Sequence, residues 1–191
     1  ESPYGNTKQI GEAIIQDLCK VSSLKAVALR YFNPVGAHST AEIGELPLGV
    51  PQNLVPYITQ TGIGLREKLS VFGDDYPTED GTCIRDYIHV VDLAKAHVVA
   101  LQRLLEQKST SNFEVFNLGT GKGCSVLDVI ESFERVSNTK LNYKIAKRRE
   151  GDVVAAYADT PQANNDLGWK AELTLDDAKL SAGNWDPKIR N

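Results

Sequence analysis

Arg30-Tyr31-Phe32-Asn33-Pro34-Val35-Gly36-Ala37-His38 is the stretch at which this chain changes character. Before it runs Val27-Ala28-Leu29, an aliphatic and partly β-branched run of the kind that fills a buried strand; after it the pattern dissolves into Gly, Pro and polar residues. A buried strand is therefore expected to end here and a loop to begin. In an open α/β sheet, ligands bind just beyond the carboxyl ends of the strands, so residues 31–38 stand where a site is expected. Upstream, Ile10, Ala13, Ile14, Leu18 and Val21 recur at spacings of three and four, which predicts an amphipathic helix over 7–21 feeding a strand over 25–32.

The 191 residues, 41% of them apolar, can bury a real core and suffice for one domain or a small pair. A net charge of −4 supplies no basic field for a phosphate backbone or an anionic membrane, so nucleic acid is not an expected partner. No apolar run approaches the roughly 18 residues of a transmembrane helix and no signal peptide is visible, so no membrane partner is expected either. Cys19, Cys83 and Cys124 are odd in number and widely spaced. That suits reduced thiols in a cytoplasmic protein, with neither a disulfide framework nor a metal site. The chain contains no Met and opens on Glu1-Ser2-Pro3-Tyr4 as though within a domain, which reads as a fragment.

Tyr4 and Lys8 share a helix face if the first helix extends back to Tyr4, and an ammonium beside a phenol favours the phenolate that a general base needs. A lone Y-x-x-x-K is also what a surface Tyr and Lys at a helix start look like. Asn53 reads as the cap of a short helix over 53–64 with Pro56 in its first turn. Phe72, before the turn glycine Gly73, reads as core or as a stacking platform, and Arg85-Asp86 as a surface pair or as a fork of donors for an anion. Tyr87 follows Arg85 on the same strand face by period two. The periodicity of Leu93, Ala94, Ala96, Val98, Leu101 and Leu105 predicts a helix over 92–106, and 115–118 and 141–146 read as strands. Ser125 and Asp128 form a capping box opening a helix over 126–136.

Gly119-Thr120-Gly121-Lys122-Gly123 tempts as a phosphate loop but has neither Walker nor G-x-G-x-x-G spacing, so it reads as a strand-to-helix turn. A short helix is expected over 160–168, another from Thr174, and a surface tail over 185–191. The basic run Lys147-Arg148-Arg149 is by itself an ordinary solvated face. His89 and His97 read as structural, and His38 as a loop residue of unassigned duty.

Taken together, the Tyr4/Lys8 helix and Leu29–His38 resemble the extended short-chain dehydrogenase/reductases, and within them the UDP-hexose 4-epimerases. Five further blocks carry the resemblance in order along the chain: Pro51-Gln52-Asn53-Leu54-Val55-Pro56-Tyr57-Ile58, Val71-Phe72-Gly73-Asp74 onward to Thr82, Arg85-Asp86-Tyr87-Ile88-His89-Val90, Asn117-Leu118-Gly119-Thr120-Gly121, and Arg148-Arg149-Glu150-Gly151-Asp152-Val153. The resemblance implies an α/β fold: the C-terminal part of an NAD-binding Rossmann-type domain over 1–36, with 84–118 packing back on it, plus a smaller α/β substrate-binding lobe over 37–191. It implies NAD as cofactor, touched by Tyr4, Lys8, Tyr31 and Phe32, with Tyr4 and Lys8 also catalytic. A UDP-sugar would be held by Asn33, Asn53, Leu54, Ser70, Phe72, Arg85, Tyr87, Arg149 and Asp152. Gln52 stands where the family often has Asn, which departs from the pattern at one contact.

Ala156 falls where the family lines its sugar pocket, and a small residue there implies room for N-acetylated sugars. A homodimer is a family expectation alone. The chain carries no G-x-G-x-x-G and no family Ser or Thr ahead of the tyrosine, so most of the NAD site lies outside it by this comparison. A nucleotide-sugar dehydratase or decarboxylase of the same superfamily, or a non-catalytic UDP-sugar-binding module, remain as alternatives.

Overall fold

The computed structural model describes residues 3–190. Helices and strands alternate: α1 (Pro3–Val21), β1 (Ala26–Tyr31), β2 (Asn33–Val35), α2 (Leu54–Gly62), β3 (Leu69–Phe72), β4 (Ile84–Arg85), β5 (Tyr87–His89), α3 (Val90–Leu105), β6 (Phe113–Leu118), β7 (Cys124–Ser125), α4 (Val126–Ser137), β8 (Tyr143–Ala146), β9 (Ala155–Ala156) and α5 (Leu175–Arg190). The class is α/β, as expected. β1 pairs with β6, β2 with β5 and β3 with β8, all parallel, while β4 lies between antiparallel β7 and parallel β9. Parallel neighbours need long crossovers, which is why the strand partners are distant in sequence and the helices cover the sheets.

The loop expected after Phe32 is instead a second short strand. Phe32 N–H still bonds to Leu118 O in line with β1, whereas Asn33 N–H bonds to Asp86 O, so the chain leaves one sheet and enters another within a single residue. A mirror event occurs at Asp86, between β4 and β5, which belong to different sheets. Alternation along β5 then divides the interior. Tyr87 joins a core of Val35, Val55, Ile58, Val71, Val129 and Phe133, while Ile88 joins one of Leu93, Ala96, Phe116, Leu118 and Trp169.

The capping signals at the starts of α4 and α5 hold. Ser125 Oγ accepts from Asp128 N–H at 3.0 Å and Asp128 Oδ2 accepts from Ser125 N–H at 2.8 Å, the reciprocal box that starts α4. Thr174 and Asp177 make the equivalent exchange at the start of α5. His89 caps α3, its Nδ1 accepting from Val91 N–H, and its Nε2 meets Ser181 Oγ at 3.2 Å. Arg103 of α3 and Glu114 of β6 form a bidentate pair at 2.7 and 2.8 Å, and both side chains are nearly buried.

Other expectations are corrected. The apolar stripe of α1 does not face the core: Ile10, Ile14, Leu18 and Val21 are each at least half exposed, and α1 meets the sheet through buried Cys19 and the Arg30–Glu12 pair. No described residue covers the stripe. β1 is correspondingly half-buried. The region 160–168 closes on a π-helical turn (Ala163–Leu167) ended by left-handed Gly168. The expected surface tail is the last part of α5, where Trp185 Nε1 donates to Glu45 O and Lys188 Nζ to Thr40 O, strapping the 38–53 loop; Asn191 lies outside the described residues. Among the described residues no helix is long and apolar enough to cross a membrane, and no group of His, Cys, Asp and Glu could hold a metal.

Candidate functional site

One cleft of about 230 Å³ gathers side chains from separate stretches of the chain, among them Phe32 and Asn33, Asn53 and Leu54, Ser70 and Phe72, Arg85 and Tyr87, and Arg149 and Asp152, with Glu45 and Val126 beside them. These include all nine residues expected to hold substrate. Each arrives by a different local device. Phe72 ends β3 and stays partly exposed, so the core alternative for it is not what the structure has. Asn53 occupies the cap position of α2 by backbone, with φ −98° and ψ 151°, but its side chain does not cap; its Nδ2 donates to Glu45 Oε1 at 3.1 Å. Its carboxamide is thus turned toward the cleft wall instead of the helix.

Four charged groups line the cleft: Glu45, Arg85, Arg149 and Asp152. Arg85 donates from Nη1 to Ile84 O and Val153 O, and Nη2 lies 3.4 Å from Asp152 Oδ1. Arg149 Nε lies 3.3 Å from Asp152 Oδ2, and its guanidinium sits 4.7 Å from the centre of the Phe72 ring. Two guanidinia share the Asp152 carboxylate while Glu45 is held by the neutral Asn53 amide, so the cleft's formal charges balance; its two guanidinium forks suit a diphosphate, beside an aromatic face suited to a flat base. Tyr87 is buried, and burial pushes its hydroxyl's pKa well above the usual phenol range, so it meets the cleft as a neutral phenol. Cys83 also lines the cleft, and burial raises its thiol in the same way.

The surface-pair alternative for Arg85-Asp86 is overturned: Asp86 is fully buried, and Arg85 pairs with Asp152 instead. Its Oδ1 accepts from Thr120 N–H at 3.0 Å and Thr120 Oγ at 2.7 Å, and its Oδ2 from Gly121 N–H at 3.0 Å and Ala158 N–H at 3.1 Å. The glycine loop that tempts as a phosphate cradle is therefore an anion cradle whose anion is the chain's own Asp86. An added methyl at Gly119 would collide with Asp86 Oδ2 and the Ala158 Cβ, which explains glycine there. The carbonyl of Asp86 also receives Asn33 N–H and Asn33 Nδ2, so one residue ties β2, the 119–121 loop and the strand bearing Arg85 and Tyr87. The sequence signal for this hub was a lone carboxylate between two site residues, which local patterns do not distinguish from a surface acid.

Tyr4, Lys8, Tyr31 and Ala156 are not among the residues lining this cleft. Tyr4 and Lys8 stand exposed on the first turns of α1, with Lys8 Nζ 5.1 Å from the centre of the Tyr4 ring. Tyr31 is exposed at the carboxyl end of β1, its ring 6.2 Å from that of His97. Ala156 is half-buried on β9, in register with Arg85.

A family model described as GDP-mannose 4,6 dehydratase matches residues 1–179. The UDP-glucose 4-epimerase of Mus musculus is 54% identical over 176 residues, covering 92% of this chain and 50% of its own length, and that of Drosophila melanogaster is 53% identical over 191 residues, covering 100% and 54%. Among solved structures, the UDP-glucose 4-epimerase of Stenotrophomonas maltophila, with bound NAD and formylated UDP-arabinopyranose, superposes with a TM-score of 0.95 at 47% identity. That of Bifidobacterium longum, in complex with NAD+ and UDP, gives 0.92 at 47%; each comparison covers 100% of this chain and 56% of the solved one. The chain thus spans about half the length of the curated relatives it matches.

Proposed function

Because the chain belongs to the GDP-mannose 4,6 dehydratase family of extended short-chain dehydrogenase/reductases, we propose that it carries the UDP-sugar-binding part of an NAD-dependent UDP-hexose 4-epimerase, interconverting UDP-galactose and UDP-glucose. The observation that carries this is the convergence of Phe72, Arg85, Tyr87, Arg149 and Asp152 on one cleft. Residues 1–36, with 84–118 against them, form the remnant of the NAD-binding domain, and 37–191 mainly the substrate lobe; the parallel pairing of β1 with β6 supports that division. The 4-epimerase names and NAD of the similar structures support the same chemistry. A homodimer belongs to the proposal, supported by the uncovered stripe of α1, and so does a cytoplasmic location, in keeping with three free cysteines.

In this proposal Arg85 and Arg149 hold the diphosphate, Asp152 turns from them to a ribose hydroxyl, and Phe72 stacks on the uracil with Ser70, Asn53 and Leu54 around it. Binding energy from the non-reacting nucleotide then positions the sugar. Tyr4 removes the proton of the sugar 4-hydroxyl and later returns it. NAD, when bound, supplies the acceptor and donor of the C4 hydride. Tyr31 and Phe32, at the carboxyl end of parallel β1, and the exposed Tyr4 and Lys8 suit its nicotinamide end, which is where aromatic borders and a cation belong. No glycine fingerprint for its pyrophosphate occurs in the sequence.

Calorimetry of UDP with the 191-residue chain tests the assignment. Arg149→Met is expected to weaken UDP about 10- to 100-fold, the worth of one charge-assisted contact, while leaving the thermal midpoint unchanged because its present pairs are solvent-exposed. Unchanged affinity in that variant would count against the site. For sugar choice, Ala156→Tyr should exclude UDP-N-acetylgalactosamine and spare UDP-galactose in competition binding; equal loss of both would sink the specificity role.

A further inference from the structure

Lys179 of α5 is completely buried, and its Nζ has no hydrogen-bond partner. A bare ammonium in such a place is among the costliest groups a core can hold, so a lysine here is expected to shed its proton when the chain folds. Its location gives that proton a use. Nζ lies 5.8 Å from the centre of the Tyr87 ring, and Tyr87, like Val35 and Val55 of the same core, also lines the nucleotide cleft. We propose that Lys179 is a proton-linked positioning residue of the cleft: its amine, sealed behind Tyr87, takes up a proton when a nucleoside diphosphate binds on the other side of that ring.

The ionisable groups around the amine leave it poised for this. From β5 come Tyr87, kept neutral by burial, and His89, whose ring is spent on Val91 N–H and Ser181 Oγ. From β7 comes Cys124, whose thiol burial keeps protonated; its own acidic neighbours Asp128 and Asp86 are committed to the α4 cap and to the 119–121 loop. Along α5 itself, Asp176 pairs with Arg135, Asp177 caps Thr174 and Asp186 accepts from Thr59. Tyr57, the ionisable residue of α2, faces Arg66. No fixed carboxylate neutralises Lys179, and burial drives its pKa down to about 7, with Cys124 opposing weakly. An arriving diphosphate adds negative charge to the cleft that Tyr87 lines. At on the order of 10 Å and an effective dielectric of about 20, one net negative charge raises an amine's pKa by about one unit.

This rests on the nucleotide assignment proposed above. Calorimetry of UDP binding at pH 7.5 in buffers of different ionisation enthalpy reads proton uptake directly. A rise from about 7 to about 8 means that the wild-type chain takes up about half a proton more per UDP than Lys179→Met, and its affinity falls about threefold more steeply per pH unit. Comparison of the two chains cancels the titration of UDP itself. Thermal melts supply an independent readout: since the unfolded lysine binds a proton that the folded one sheds, wild-type stability should rise between pH 7 and pH 9 relative to Lys179→Met. Equal proton uptake in the two chains overturns the role of Lys179 while leaving the nucleotide site standing. Identical pH dependence of melting overturns the buried neutral amine. Failure of UDP to bind either chain overturns the nucleotide assignment and this linkage with it.

Discussion

Asp86→Ala is expected to destabilise the chain by about 4 kcal/mol, because it strips a buried acceptor from three backbone N–H groups and one hydroxyl at once, each worth about 1–3 kcal/mol when orphaned and partly rescued by water entering the space. The bonds concerned are those to Thr120, Gly121 and Ala158, all at 2.7–3.1 Å. Asp86→Asn keeps one oxygen but turns an amide toward a cradle made only of donors, so it should cost more than half as much as the alanine. Urea unfolding followed by circular dichroism decides it, and a loss below about 1 kcal/mol for Asp86→Ala would show that the cradle reorganises without its anion. The same substitution reaches function. Arg85 and Tyr87 flank Asp86, and its carbonyl holds Asn33, so UDP affinity should fall in whatever fraction stays folded.

Glu114→Gln is expected to cost about 3 kcal/mol and to reshape acid unfolding. Arg103 holds the Glu114 carboxyl well below its usual range, at about 2, helped by bonds from Thr110 N–H and Oγ. The folded pKa is depressed, so the stabilisation is fully present above the unfolded value of 4.5 and is lost as pH falls through 4.5 toward 2. Glutamine leaves Arg103 nearly buried beside a neutral partner, softened by its bond to Asp166 O and its approach to the Phe116 ring. Denaturant midpoints between pH 7 and pH 2.5 should therefore start lower in the variant and converge on wild type at the acid end. Parallel curves separated by a constant offset would mean that the charge on Glu114 does not carry the effect.

Both of these residues look unremarkable in the sequence, whereas much else was legible there. The α/β alternation, the boxes Ser125–Asp128 and Thr174–Asp177 and the helix over residues 92–106 rest on interactions within about four residues, which a sequence displays directly. The nine residues expected to hold substrate stood out as spaced blocks, and the structure brings those blocks to a single cleft. Tertiary structure alone decided which polar groups lie inside and what faces them. Asp86 finds its partners 34, 35 and 72 residues away, and Lys179 is buried although Asp176, Asp177 and Ser181 stand close to it in sequence. Periodicity likewise gave α1 an apolar stripe but not the direction it faces, because a stripe records that a helix is amphipathic and only the packed chain fixes what, if anything, covers it. Local preference is set by short-range sterics and hydrogen bonds; the partner of a buried charge is set by where distant strands meet.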